Sequence, residues 1–234
     1  MRPYEGKAKR MTLRSATEVE VFFKDDATAF NGQKHQVFPG KGELNSQISE
    51  LFFVHLEKQG VKTQHLKRLD ERTLLARAAK MFALEVVVRF KIEGSLQKRT
   101  GLPVNSPCVP PVVELYFKRD DLGDPIINDD HVRLLGIATP AELDELRSLA
   151  RKAAAEVHAV CERAGIDLVD MKFEFGRTDQ GILLVDEISP DTCRFRDKAT
   201  GAILDKDRFR RDQGDLLEGY REVLRRLQTA LKGS

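Results

Sequence analysis

The segment from Ile166 to Asp197, IDLVDMKFEFGRTDQGILLVDEISPDTCRFRD, restricts the fold more than any other part of the chain. Asp170, Lys172 and Glu174 alternate with Val169, Met171, Phe173 and Phe175. In a strand, successive side chains point to opposite faces, so this spacing predicts three ionisable groups on one face and apolar groups on the other. The run ILLV follows a turn at RTDQG, and a hairpin across that turn returns Asp186 and Glu187 with one carboxylate on the charged face. Two carboxylates and a lysine then converge. A solvated strand face is the alternative. These acids, however, sit among Leu, Ile, Val and Phe, where a buried charge needs a partner. Two carboxylates beside a lysine suit Mg²⁺ on the phosphates of a nucleotide, because Mg²⁺ takes hard oxygen ligands and keeps several waters.

With 234 residues, the chain can bury one large core or two smaller ones sharing a cleft. Charged residues make up 32% with a net charge of +2, which leaves neither a nucleic-acid footprint nor an acidic tail. Cys108, Cys161 and Cys193 show no CxxC spacing, so reduced, buried thiols are expected. No apolar run approaches the roughly 20 residues that span a bilayer, and no apolar signal segment follows Met1. The expected location is cytoplasmic, with no membrane partner.

Near the N-terminus, Gly6 precedes Lys7 and Lys9, a pattern able to wrap a polyphosphate through backbone N–H groups and ammonium charge. The P-loop spacing is absent, and a basic surface strand is the alternative. Glu18 to Lys24 reads as a strand, and the polar, Gly-containing stretch from Ala27 to Gly42 as a functional loop whose Lys41 contacts substrate. Glu43 to Gly60 has helical spacing, with His55 a packing or surface residue. Short strands are expected at 63–69 and 73–79, and a buried strand at 84–90. Arg89 emerges near the end of that strand, beside Gly94 and Ser95. This combination suits a phosphate or carboxylate, with a plain ion pair as the alternative.

The proline-rich PVNSPCVPP is an extended connection to a strand over 112–118, and RDDLGDPIINDDH is an acidic turn region in which Asp124 either caps a turn or meets a metal. Thr139 and Pro140 open a long helix that ends at Gly165, and an amphipathic helix closes the chain after a basic elbow.

Seven blocks in order carry a resemblance: YEGKAK at 4–9, DATAFNG at 26–32, EVVVR at 85–89 with GSLQKR at 94–99, DDLGDP at 120–125, LVDMKFEFG at 168–176, VDEISPDTCR at 185–194 and LDKDRFR at 204–210. The chain resembles the SAICAR synthetase (phosphoribosylaminoimidazole-succinocarboxamide synthase) family over almost its whole length. The resemblance implies an α+β fold. A small antiparallel β-rich lobe, residues 1–80, packs on an ATP-grasp-like lobe, residues 81–234, with the nucleotide cleft between them.

The implied activity is ATP-dependent ligation of L-aspartate to carboxyaminoimidazole ribonucleotide (CAIR) by a cytoplasmic homodimer. Lys7, Lys9, Met81, Lys118 and Lys172 would contact ATP, and Glu174 and Asp186 would hold its Mg²⁺. Asp124 and Asp170 would hold a second Mg²⁺, and Arg89, Ser95, Arg194 and Asp170 would bind CAIR. Lys172, Asp170 and Arg89 would stand at the reacting groups. An ATP-dependent phosphotransferase and a silent nucleotide-binding regulator are the rival functions. Three departures from the family pattern stand out: Arg196 where Trp is usual in Arg-x-Trp-Asp, Phe90 where Asn is common, and Ala83 where Pro is common.

Overall fold

The structure, a computed structural model, describes residues 4–29 and 32–232. Phe30 and Asn31 of the DATAFNG block, and the first three residues of the N-terminal segment, lie outside that range. In chain order the elements begin β1 (Tyr4–Glu5), β2 (Lys9–Leu13), β3 (Glu18–Phe23), β4 (Asp26–Ala29), β5 (Lys34–Val37), α1 (Lys41–Lys58), β6 (His65–Arg68) and β7 (Thr73–Arg77). There follow β8 (Lys80–Lys91), α2 (Gly94–Thr100), β9 (Pro107–Phe117), β10 (Ile126–Ile127), α3 (Asp129–Leu134) and α4 (Pro140–Arg163). The chain ends with β11 (Ile166–Thr178), β12 (Gly181–Val185), β13 (Cys193–Asp197), α5 (Asp207–Arg210) and α6 (Leu216–Leu231).

The first sheet has the order β1-β2-β3-β7-β6 and the second β10-β9-β8-β11-β12, all antiparallel. The chain passes from one sheet to the other between Arg77 and Lys80. Packing does not follow that division, because Ile48, Phe52, Phe53 and Leu56 of α1 belong to the core built over the second sheet. Leu146, Ala150, Ala153, Val157 and Val160 of α4 close that core against the apolar face of β11, where Met171, Phe173 and Phe175 are buried. The alternation along β11 therefore sorts its side chains as expected: apolar into the core beneath α4, ionisable toward the other face.

β11 is longer than half a hairpin requires. Its second half pairs with β12 (Glu174 opposite Val185), while its first half pairs with β13 (Asp170 opposite Arg194), so two strands share one edge of it. On the other edge β8 sets Arg89 opposite Asp170 and Glu85 opposite Glu174.

Three local readings need correction. The stretch after Asp26 is a two-stranded hairpin, β4 with β5, whose Ala27 and Ala29 pack on Phe209, Leu216 and Tyr220. Alanine has little strand propensity, so only docking on the C-terminal segment selects this form. The proline-rich stretch already belongs to β9 from Pro107, and the acidic turn region contains β10 and α3. α3 has six residues held by an Asn128 capping box, too short for a periodic signal.

The start of α4 is built as the sequence indicates. Thr139 Oγ1 accepts from Glu142 N at 3.2 Å, Glu142 Oε2 accepts from Thr139 N at 2.8 Å, and Pro140 occupies the first turn. Glu142 also receives Arg177 Nε of β11 at 2.5 Å, which ties helix to sheet. The Arg177 hydrogen bond, then the Thr139 N–H, hold the Glu142 carboxyl down at about 2, against an ordinary 4.5. A carboxyl depressed on folding stabilises fully above its unfolded value, and that stabilisation is lost as the pH falls through the folded one. Glu142→Gln is expected to make the fall in Tm between pH 4.5 and pH 2 shallower, measured by circular dichroism. An unchanged slope would show that the bridge is not coupled to folding.

Candidate active site

The charged face of β11 serves two adjacent groups of residues. Toward its C-terminal half, Lys172 Nζ lies 2.6 Å from Glu174 Oε1, 3.0 Å from Glu85 Oε1 and 3.7 Å from Asp186 Oδ2. Lys9 reaches across from the first sheet to Asp186 Oδ1 at 2.5 Å and Glu187 Oε1 at 2.7 Å. Lys118 meets the other oxygen of Glu174. Three lysines from three strands or strand ends thus converge on carboxylates carried by β11 and the end of β12.

Burial opposes the charge of Lys9, but Asp186 and Glu187 outweigh it and raise its pKa. Burial likewise opposes the charge of Lys172, and Glu174, Asp186 and Glu85 raise it well above the ordinary lysine value. Burial pushes the Asp186 carboxyl up, yet Lys9, Lys172 and Lys118 bring it below the usual range. These groups are ionised together. Asp186 has φ of 70°, a left-handed conformation uncommon outside glycine, and Gln64 Nε2 donates to its carbonyl at 2.9 Å. That backbone turn directs the carboxylate toward both Lys9 and Lys172.

Lys7 is exposed and pairs with Asp120 at 2.7 Å. Met81 is 41% exposed on β8, opposite Gly176. At Gly176 a Cβ would stand 2.6 Å from Ala79 Cβ, so glycine allows β11 to approach this edge closely.

Toward the N-terminal half of β11 lies a cavity of about 190 Å³. Arg89 donates to Asp170 Oδ2 (2.7 Å), Glu114 Oε2 (2.7 Å), Ser95 Oγ (2.9 Å) and the Tyr116 hydroxyl (3.1 Å). Arg194 Nη1 donates to the same Asp170 oxygen at 2.7 Å. Gly94 has φ of 59°, and a Cβ there would stand 2.8 Å from Arg194 Nη2, so glycine leaves room for this guanidinium. Burial works against both arginines, but Asp170 first, with Glu114 for Arg89 and Asp207 for Arg194, raises their pKa values.

The structure brings Lys9, Lys118, Lys172, Glu174 and Asp186 together, and Arg89, Ser95, Asp170 and Arg194 together. Asp124 and Asp170 are each engaged by protein donors. Asp124 Oδ1 accepts from Arg119 N at 2.8 Å, in a turn that does not line the cavity, and Asp170 is engaged by two guanidiniums. Lys41, expected to contact substrate, does not line the cavity. It is fully buried, with Nζ 2.5 Å from Asp191 Oδ2, so only Asp191 presents a surface to the cavity.

Glu85, Asp191, Tyr116 and Arg210 were missed, because each depends on a neighbouring strand or segment rather than on its own motif, and Glu187 joins Asp186 at Lys9 where a single carboxylate was expected. Phe90 stacks on His158 of α4 at 4.4 Å, and the Ala83 carbonyl accepts from Lys118 N at 3.1 Å, so neither departure removes a site contact. The three cysteines are free and buried, as expected.

Among the described residues no cluster of three or more His, Cys, Asp or Glu could hold a metal alone. Glu174 and Asp186 nevertheless fit a cation that shares its shell with phosphate and water. Both are hard oxygen donors, and both face the single ammonium of Lys172.

The family model of SAICAR synthetase matches residues 2–227. The chain belongs to the SAICAR synthetase family. A phosphoribosylaminoimidazole-succinocarboxamide synthase from Bacillus cereus (strain AH187) is 46% identical over 229 residues, covering 96% of this chain and 95% of the relative. A solved SAICAR synthetase (Type-2) in complex with ADP superimposes with a TM-score of 0.95 at 45% identity, covering 97% of this chain and 98% of the other. A SAICAR synthetase from Pyrococcus horikoshii OT3 gives 0.92 at 44% identity, covering 95% and 98%. The α+β architecture is thus that of SAICAR synthetases.

Arg89 is the structural centre of the cavity, since Asp170 and Glu114 are both nearly buried and both depend on it. Without Arg89, Asp170 keeps Arg194 and Glu114 keeps Arg99 and Tyr116, so the cost falls below that of a fully uncompensated buried charge and is that of lost hydrogen bonds to charged groups, about 1.5–3 kcal/mol. Arg89→Met is expected to lower the unfolding free energy by that amount, measured by urea denaturation. A loss under about 1 kcal/mol, the size of a surface ion pair, would show that water already solvates the cluster.

Proposed function

We propose that this chain joins L-aspartate to the carboxylate of CAIR, consuming ATP and releasing ADP and phosphate, as a step of purine biosynthesis. The observation that carries the proposal is the placement of Asp170 and Lys172. They stand two residues apart on one face of β11, so the lysine-carboxylate group and the guanidinium-lined cavity adjoin. The family membership supports the same activity.

A carboxylate is a poor acylating agent. One of its oxygens attacks the γ-phosphorus of ATP, the bond to the ADP oxygen breaks, and an acyl phosphate forms. The aspartate amine then attacks the acyl carbon, phosphate leaves, and the nitrogen gives up a proton. No step needs a protein nucleophile, so the residues act by position and charge. Lys7, Lys9, Lys118 and Lys172 neutralise the polyphosphate, and exposed Met81 packs against the adenine. Arg89, Ser95 and Arg194 hold the phosphate or carboxylate of CAIR, with Asp170 fixing both guanidiniums. Lys172 and Arg89, on either side of Asp170, face the reacting carboxylate. Glu174 and Asp186 hold Mg²⁺, which supplies charge neutralisation on the transferred phosphoryl group.

The nucleotide lies between the lobes of residues 1–80 and 81–234, the sheet boundary at Arg77 to Lys80 supporting that division. The working form is a cytoplasmic homodimer. Exposed Val109 (87%) and Leu134 (79%) offer apolar surface for the contact, and buried free cysteines agree with a reducing compartment.

The deciding experiment measures ADP release with each substrate omitted in turn. Release is expected only with ATP, CAIR and aspartate together, apart from slow formation of the acyl phosphate. Rapid release to water or an alcohol without CAIR would indicate a phosphotransferase, and no release in any mixture a silent binder.

Glu174→Gln and Asp186→Asn keep shape while removing the charge that holds the metal. Each is expected to lower kcat by about 100-fold or more with the far-ultraviolet circular dichroism unchanged. Near-normal turnover in both variants would remove the metal assignment.

A further inference from the structure

Arg196 of β13 is a buried cation, and the structure gives it a set of partners. Its side chain is 11% exposed. Nη2 donates to both oxygens of Glu93, at 2.8 and 3.0 Å, and to Asp207 Oδ2 at 3.2 Å. Nη1 donates to Asp205 Oδ2 and, at 3.0 Å, to the Phe195 carbonyl. Arg196 therefore binds three buried carboxylates from three segments: the N-cap of α2, the elbow before α5, and α5 itself.

Asp207 connects this group to the cavity. Its Oδ2 also accepts from Arg194 Nε at 3.2 Å, and its Oδ1 from Arg210 Nη1 at 2.6 Å. Arg194 and Arg210 both line the cavity. The guanidinium of Arg194 is thus held at one end by Asp170 and at the other by an oxygen shared with Arg196. Burial raises the Asp205 carboxyl to about 7 even with Arg196 against it, so that acid depends on the arginine for compensation.

We propose that Arg196 is a positioning residue for the CAIR pocket, acting through Asp207 to fix the orientation of Arg194; this deepens, and rests on, the function proposed above. A guanidinium fork supplies the several donors that Glu93, Asp205 and Asp207 take together, which a side chain with a single donor could not. With Arg196 in place, Asp207 Oδ2 is held among Arg194, Arg196 and, at 3.3 Å, Arg211, with Oδ1 on Arg210, and it stays where Nε of Arg194 meets it. Without Arg196, Asp205 loses its guanidinium and Glu93 and Asp207 keep only Arg211 in common, so like-charge repulsion among the three acids shifts Asp207 relative to Arg194. A purely structural role would predict less folded protein with unchanged substrate affinity.

The test is steady-state kinetics of Arg196→Gln, Arg196→Lys, Asp207→Asn and the double variant Arg196→Gln/Asp207→Asn, with CAIR and ATP varied separately. KM does not depend on how much of the enzyme is folded, so partial unfolding does not mimic the effect. For Arg196→Gln the KM for CAIR is expected to rise about tenfold, a change of about 1.4 kcal/mol, with the KM for ATP within about twofold. Arg196→Lys keeps the charge without the fork and is expected to recover part of the loss, and it serves as the folded variant if the glutamine form does not accumulate. In the Asp207→Asn background, Arg196→Gln is expected to add little, since residues acting through one contact are not additive.

An unchanged KM for CAIR, equal rises for CAIR and ATP, or full additivity in the double variant would overturn the proposal. A wild-type enzyme without CAIR-dependent turnover would instead remove the function on which it rests.

Discussion

One carboxylate oxygen organises the cavity. Asp170 Oδ2 receives Arg89 from β8 and Arg194 from β13, both at 2.7 Å, so three neighbouring strands are fixed at a single point. A buried carboxylate in this position is costly unless paired, and the pairing dictates what the cavity can hold. Arg89 has all three nitrogens on protein acceptors, which sets its plane, while Arg194, held through Nε and Nη1 and 22% exposed, turns Nη2 toward Gly94. Such an arrangement selects an anion of defined geometry rather than any negative charge. The same cost explains Glu114, which meets Arg89 and Arg99 while accepting the Tyr116 hydroxyl at 2.8 Å. Its burial is fully compensated, so this wall of the pocket is rigid.

The neighbouring lysine group follows a different rule. Glu174 and Asp186 each contact two lysines, and Lys9 and Lys172 each contact more than one carboxylate. Under the proposed function, phosphates take over the lysines while a divalent cation takes over the carboxylates. Each charge exchanges one partner for another, and no group is left buried alone at any stage. This exchange requires the site to remain partly open, and Lys118 and Lys172 retain 42% and 24% exposure, against 3% for Arg89. The cavity half is fixed and the lysine half is exchangeable, which matches a reaction in which one substrate must be oriented and the other must change charge.

Much of this was legible because strand alternation is a local code. Asp170, Lys172 and Glu174 announce a shared face from their spacing alone, and Thr139 with Pro140 announces the start of α4. What the sequence conceals is whatever needs a second segment to acquire meaning. Glu85 becomes a site residue only when β8 pairs opposite Glu174. The segment after Pro190 becomes β13 only because β11 is long enough to accept a second partner on the same edge. Asp124 stands in one of the blocks that carry the resemblance, and its Oδ1 accepts from Arg119 N in the turn that carries it, a contact its motif does not announce. A motif can identify a family without saying which of its polar atoms are already satisfied.

Lys41 shows how far from the cavity such satisfaction extends. Buried at the start of α1, its ammonium meets Asp191 Oδ2 at 2.5 Å, while the Tyr220 hydroxyl of α6 donates to Asp191 Oδ1 at 2.6 Å. Burial pushes the Asp191 carboxyl up, but Lys41 outweighs it and keeps the acid ionised. Both oxygens of a cavity-lining acid are therefore committed to helices outside the second sheet, and its N–H is taken by Ser189 Oγ. α1 also packs in the core over that sheet, and α6 also packs under the β4–β5 hairpin. Displacing either helix would break a buried ion pair or hydrogen bond at the cavity wall and lose apolar packing at once. The elements with no functional motif of their own thus hold the pocket in register, through one aspartate whose charge the interior could not otherwise accommodate.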